Sequence, residues 1–395
     1  MIIFSCRAPI AAIGGVENSI RNLVSVACKK ELQVMVVCSR AFGSETSGKV
    51  SFEMPEKAEL LTYVDEYRLN LVNRLFHLSR GGQTLLNLYK ALFLRYPNAL
   101  VITRHHAHAL AACSAGFERV HYLVPSLTTQ QLRKELQGVN LLEKTRIGLH
   151  IIFDGIAQRQ ALEKARLFVF SELMRKDLIE ALVKAVPTEI TLVKPGIDRS
   201  LFSTPTRREK FELKKNLNLS VEHSYFLFVG RFVRAKGLDY FIEAMTYMPV
   251  NSKALLLGDG EHKMFLERKI AALRLQDRLT VLDPTLEVMH YYRACDVFVM
   301  SSTYEPLGQT LLEAVACGMR VAAFDPATAT GVRTATRELL IDHVVEYATE
   351  LSPAGLASAM AKALQKESII RTALKNEEFY KRYSWERLLQ QLIQS

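Results

Sequence analysis

Residues 296–324 leave this chain few ways to fold. Asp296-Val297-Phe298-Val299-Met300 is a continuous apolar run, the pattern of a strand buried on both faces. Arg320-Val321-Ala322-Ala323-Phe324 reads as a second such strand. Between them the turn Glu305-Pro306-Leu307-Gly308 opens one short helix, which Gly318 closes. Strand, loop, helix, strand is a βαβ unit. In such units the ligand crevice forms where the loop after the strand meets the helix N-terminus. Two carboxylates belong to this region: Glu305 in the loop and Glu313 about one and a half turns into the helix. Free N–H groups at a helix start suit an anion such as a diphosphate. A carboxylate suits paired sugar hydroxyls, because it accepts two hydrogen bonds at once.

The same alternation recurs along the chain. Met1–Cys6 reads as a strand, followed by a loop ending in Gly14-Gly15 and a helix from Glu17. Glycines there let the backbone approach a ligand. Further strands are expected at 33–38, 99–103, 120–124 and 167–170, with Arg68–Tyr96 as two helical pieces broken at Gly81-Gly82. Residues 41–66 read as irregular with short strands. The strand at 99–103 ends in Arg104-His105-His106-Ala107-His108, a histidine cluster without a neighbouring carboxylate or cysteine in sequence, which argues against zinc. In the second half, Tyr225–Val229 precedes a loop carrying Arg231 and Lys236. Arginine can fork onto phosphate oxygens and lysine can act as a point charge. Lys253–Leu257 precedes Gly258-Asp259-Gly260-Glu261, and a last amphipathic helix opens at Tyr383-Ser384-Trp385-Glu386.

Arg231, Lys236, Gly258-Asp259-Gly260, Glu305 and Glu313 fall in one order, each near a strand end. Together with Gly14-Gly15-Val16-Glu17, they resemble the signature of the GT-B glycosyltransferases of the family 4 type, retaining enzymes that use nucleotide sugars. The resemblance implies an α/β fold of two doubly wound Rossmann-like domains facing a cleft. Residues 1–198 would form the acceptor-side domain and 199–375 the nucleotide-sugar domain. Residues 376–395 would be a helix crossing back to the first domain. It also implies a catalytic set of Arg231, Lys236 and Glu305, the first two on the departing diphosphate and the third on the donor sugar. Gly14, Gly15, Pro306, Leu307 and Gly308 would border the donor, Glu313 would hold its ribose, and His106 would lie on the acceptor side. No metal or other cofactor is expected, in keeping with the lack of Asp-x-Asp. The expected partners are a UDP- or GDP-sugar and a glycan or lipid-linked acceptor, in bacterial polysaccharide or glycolipid assembly. Two other readings are a sugar-nucleotide epimerase of GT-B fold and an inactive nucleotide-sugar-binding scaffold. The chain departs from the family at Pro125-Ser126, where a histidine is usual, at Pro195, where an asparagine is usual, and at Asp325–Arg333, where a Gly-Gly-x-Pro-Glu turn is usual.

Length and charge narrow the setting. At 395 residues, 49% hydrophobic and 23% charged, the chain has material for two globular domains. No apolar run reaches the length of about 18 residues that a membrane helix needs. The N-terminus reads as a first strand rather than a signal peptide. Six scattered cysteines read as free thiols in a reducing compartment. A cytoplasmic protein, peripheral on the inner membrane face, is therefore expected. Net charge is +10, and residues 67–117 contain no acid while carrying Arg68, Arg74, Arg80, Lys90, Arg95 and Arg104. Such a face suits an anionic membrane surface or lipid pyrophosphate. Nucleic acid is not expected, since no nucleic-acid-binding module is present.

Overall fold

The computed structural model describes residues 1–10, 14–40, 55–64, 82–127, 141–182, 189–340, 345–365 and 377–395. The first helical piece expected from Arg68 to Gly81, with Arg68, Arg74 and Arg80, lies outside these residues. The chain divides into two units, Met1–Gly196 with Trp385–Ser395, and Ile197–Ser384. The family resemblance implies a first boundary at 198/199. The structure places it at 196/197 and splits the expected segment 376–395 at 384/385. Tyr383 stays with the second unit because it is buried there and its hydroxyl donates to Leu339 O at 2.5 Å.

The first unit is built on seven strands: β1 Ile2–Ser5, β2 Val34–Ser39, β3 Ala58–Tyr63, β4 Leu100–Thr103, β5 Val120–Leu123, β6 Arg166–Val169 and β7 Ile190–Leu192. All pair in parallel, in the order β3-β2-β1-β4-β5-β6-β7. Every residue of β1, β2, β4 and β5 is buried, as unbroken apolar runs require when helices cover both faces. One face of the sheet, with Ile3, Met35, Val37 and Val101, packs into a core with helices Gln83–Arg95 and His106–Ala115. The His106–Ala115 helix is small and almost wholly buried, which lets Gln83–Arg95 and Leu141–Lys164 both pack against it. Ile2, Phe4, Val34 and Val36 are buried on the alternate positions.

The last helix, Trp385–Gln394, packs Leu388, Leu389 and Leu392 inward and lies against helix Gly15–Lys29. It is held by Arg119 Nη2, which donates to Ile393 O at 3.0 Å. Trp385 lies directly on Gly196: a Cβ at that glycine would come within 2.3 Å of indole carbon Cδ2.

The second unit holds six parallel strands in the order β10-β9-β8-β11-β13-β15. They are β8 Ser224–Val229, β9 Ser252–Leu257, β10 Leu279–Leu282, β11 Val297–Met300, β13 Arg320–Phe324 and β15 Val345–Ala348. A separate two-stranded ribbon pairs β12, Tyr304–Glu305, with β14, Arg333–Thr334. Both large sheets reverse their winding between first and fourth strands, at β1/β4 and at β8/β11. The C-terminal ends of those pairs are where a doubly wound sheet binds ligands.

Trp385→Ala should destabilise the first unit by about 3–5 kcal/mol, the range for deleting a large buried aromatic. Urea unfolding followed by far-UV circular dichroism measures it. An unshifted transition would mean that the C-terminal segment contributes nothing to that unit.

Candidate active site

The loop after β8 runs from Gly230 to Gly237 and the loop after β11 from Ser301 to Gly308, so both leave the sheet at its switch point. They are stitched together. Ser301 Oγ donates to Lys236 O at 2.8 Å, and Thr303 N donates to Ala235 O at 2.9 Å. Gly237 makes this approach feasible. Its φ is +59°, and a Cβ there would stand 2.2 Å from Ser301 O. Gly258 does the same on the other side, where a Cβ would meet Gly230 O at 1.9 Å. The Gly-Asp-Gly turn thus gives the Gly230 loop room to pass, and Phe232 N donates to Asp259 O at 2.8 Å.

The Lys236 ammonium reaches the Glu305 carboxylate and forms an ion pair at Oε2, while Oε1 accepts Gly308 N–H at 3.2 Å. Burial would push the Glu305 carboxyl up. Lys236 and the N–H groups of Gly308 and Leu307 outweigh that and hold it below the usual carboxylate range. Pro306 and Gly308 are buried and Leu307 is half-buried. Gly308, with φ +74°, caps helix Gln309–Ala316. Arg231 is exposed on the same loop as Lys236 and makes no ion pair among the described residues.

Glu313 is buried on that helix and accepts Tyr292 OH at 3.1 Å. Burial pushes its carboxyl up to about 7, even though Tyr292 and Gln309 donate to it. The two glutamates of the loop–helix therefore have opposite electrostatics: Glu305 is held charged by a cation and Glu313 is left near neutrality.

The segment 325–333, which departs from the family pattern, supplies the support for Glu305. Arg333 and Thr334 form β14 opposite Tyr304 and Glu305, and Ala335 N donates to Glu305 O at 2.9 Å. Asp325 anchors the segment. It accepts Arg337 Nε at 2.8 Å and Nη2 at 3.0 Å, with Ala327 N at 2.9 Å and Thr328 Oγ1 at 3.1 Å. Arg337 and these donors hold the Asp325 carboxyl down at about 2. Neither Tyr292 nor the Asp325–Arg337 clamp was singled out from sequence. Both act across a fold that brings residues 12 or more apart into contact, and no local motif announces them.

In the first unit, Gly14 and Gly15 open helix Gly15–Lys29 at the β1 end, with the Glu17 carboxylate folded back over Gly14. His106 begins the helix after β4 and is buried. No carboxylate neighbours this histidine in sequence, but one reaches it through the fold. Helix Leu141–Lys164 packs against it and brings Asp154 Oδ1 to 4.0 Å from His106 Nε2. His108 is a core residue, its two ring nitrogens bridging Tyr63 OH and Tyr89 OH at 3.1 Å each. Among the described residues, no three His, Cys, Asp or Glu side chains are grouped to hold a metal. Nor is any described helix long and apolar enough to cross a membrane. Beside Pro125, Ser126 O accepts Gln158 Nε2 at 2.9 Å, and the same amide meets Tyr122 OH at 3.2 Å.

Comparison with known proteins adds four findings. Residues 209–382 match the family "Glycosyl transferases group 1". The chain is 30% identical over 223 residues to D-inositol 3-phosphate glycosyltransferase of Geodermatophilus obscurus, covering 53% of this chain and 47% of that protein. It is 25% identical over 327 residues to alpha-maltose-1-phosphate synthase of Mycolicibacterium smegmatis, covering 80% and 84%. The chain thus spans about half the length of the first relative and most of the second. The structure superposes on Anabaena Alr3699/HepE in complex with UDP and glucose with a TM-score of 0.72 at 18% identity, covering 100% of this chain and 98% of that one.

The raised Glu313 carboxyl sets a pH dependence. The folded chain binds this proton more tightly than the unfolded chain, so stability is intact below the ordinary carboxylate pKa and falls as pH rises through about 7. Glu313→Gln should remove the decline, a difference on the order of 3 kcal/mol between pH 4 and pH 8. Urea unfolding of both proteins across that range measures it, and parallel curves would place the carboxyl in an ordinary, solvated setting.

Proposed function

We propose that this GT-B chain, whose residues 209–382 match the glycosyl transferases group 1 family, is a retaining glycosyltransferase. It moves a sugar from a nucleotide-sugar donor to a hydroxyl of a glycan or lipid-linked acceptor. One observation carries the reading: a half-buried lysine–glutamate pair at the switch point of the second sheet, beside an exposed arginine on the same loop. An ammonium has three N–H donors, and Glu305 engages it from one side. The others remain for diphosphate oxygens. A carboxylate has about four lone-pair sites, so Glu305 can hold Lys236 and Gly308 and still accept a sugar hydroxyl. Glu305 thus links the position of the sugar to the position of the cation.

Lys236 and Arg231 stabilise the charge that builds on the departing diphosphate, which is electrostatic catalysis by preorganised groups. Retention follows from attack on the face the diphosphate leaves, with a phosphate oxygen taking the acceptor proton. Neither a protein base nor a metal is required. Glu313 accepts the ribose hydroxyls, with Tyr292 holding its second oxygen. A UDP-sugar donor has support from the fold shared with the UDP complex of HepE. Melting-point shifts against UDP-, GDP-, ADP- and dTDP-sugars identify the donor, because a ligand of the native state raises the transition.

Arg231→Ala and Lys236→Ala should each lower turnover by about two orders of magnitude or more, as loss of one charge-stabilising donor does. Glu305→Gln should act chiefly on kcat and Glu313→Gln chiefly on nucleotide binding. Steady-state kinetics with the identified donor decides. Near-wild-type turnover of either cation variant would place the chemistry elsewhere.

The acceptor side of this reading is peripheral to a membrane of a cytoplasmic face. The first unit presents Leu94, 85% exposed, between exposed Lys90 and Arg95 on helix Gln83–Arg95. Each such cation near an anionic surface is worth on the order of 1 kcal/mol. The chain should sediment with anionic vesicles at low salt and be released as salt rises. Lys90→Gln with Arg95→Gln should weaken that binding, and absence of low-salt binding would point to a soluble acceptor.

A further inference from the structure

The first unit has a switch point of its own, and a buried cation occupies it. Arg104 follows β4 directly, and its N–H donates to Ser5 O of β1 at 3.1 Å. The side chain is only 2% exposed. Its guanidinium lies over the Phe170 ring at 5.1 Å, at the end of β6. Nη1 donates to Ser19 Oγ of helix Gly15–Lys29 at 2.5 Å, and that is its one side-chain hydrogen bond among the described residues. Nε is buried without a partner, and so is Ser5 Oγ nearby in β1. No described carboxylate comes within ion-pair distance of Arg104.

This differs from how the chain treats buried charge elsewhere. Asp296 in the second unit takes Lys210, Lys214 and the Tyr225 N–H, and Asp325 takes both edges of Arg337. An unpaired guanidinium out of water costs several kcal/mol, and cores rarely carry one without a use. Burial draws the Arg104 pKa down to about 10, and the more distant charges of Glu17 and Tyr122 only partly oppose it. The Phe170 ring lies against the guanidinium, and the planar guanidinium fork is the geometry that matches a phosphate or carboxylate. The C-terminal ends of β1 and β4 are also where a doubly wound unit admits a ligand.

We propose that Arg104 binds an anionic oxygen fork, phosphate or carboxylate, carried by the acceptor substrate. The proposal rests on the transferase reading and deepens it: the acceptor is an anionic molecule, recognised by the first unit at its own switch point. Ser19 is the positioning residue that orients the fork from the helix.

The test uses the full chain with Arg231→Ala and Lys236→Ala combined, so that the donor phosphate clamp is gone. Melting points are followed against sodium phosphate, pyrophosphate and acetate, with sodium chloride at matched ionic strength. Phosphate or acetate should give a saturable rise beyond chloride, and whichever does so names the group. Adding Arg104→Gln should abolish that rise. Should Arg104→Gln fail to fold, Arg104→Lys in the same background keeps the charge and loses the fork, and half-saturation should move at least tenfold higher. The idea is overturned by no rise beyond chloride, by a rise that survives Arg104→Gln, or by unchanged half-saturation in Arg104→Lys. Nucleotide-sugar stabilisation of the unmutated chain is measured alongside. Its absence, with the anion response intact, would sink the transferase reading and leave the anion site standing.

Discussion

Strand order decides where this molecule can bind anything. In each sheet the crossovers diverge from one pair of neighbouring strands, so the loops at their C-terminal ends have no helix packed between them. In the second unit those loops carry Arg231, Lys236 and Glu305. In the first they carry Gly14, Gly15, Arg104 and His106. Apolar strands buried on both faces can place polar side chains only at their ends, so the chemistry collects there.

Charge is handled differently at the two places. The Lys236–Glu305 pair is self-sufficient in the ligand-free protein, with backbone N–H groups completing the carboxylate. It is therefore held in one arrangement by its own contacts. Glu313, eight residues later, has no cation beside it among the described residues and leans toward its neutral form. Under the proposed function, hydroxyl donors from a ribose would favour its charged form, and a proton would leave as the nucleotide enters. Arg104 is the inverse case, a buried cation with a hydroxyl for company.

Most of the architecture was legible because it is written locally. Parallel strands appear as unbroken apolar runs, and glycines mark the turns at Gly237, Gly258 and Gly308. The Glu305–Pro306–Leu307–Gly308 turn could be placed on a helix start from four adjacent residues. What stayed hidden depends on residues distant in sequence. The partnership of Lys236 with Glu305 spans 69 positions, and the ribbon Tyr304–Glu305 with Arg333–Thr334 has strands of two residues each, too short to show a period. Asp154 near His106 arrives from another helix. Arg104 looked like one more cation in an acid-free stretch, and only burial distinguishes it from Lys90 or Arg95, both exposed.

The division of the chain has a consequence for the order of events during synthesis. The first unit is not finished when its sheet has been made, because Trp385–Ser395 belongs to it and the whole of Ile197–Ser384 intervenes. At ribosomal speeds that segment follows roughly ten to forty seconds later. In that interval the outer side of helix Gly15–Lys29 lacks its apolar cover of Leu388, Leu389 and Leu392. The nascent first unit therefore keeps that apolar side uncovered until Trp385–Ser395 has been made, whereas the second unit is built from the continuous segment Ile197–Ser384.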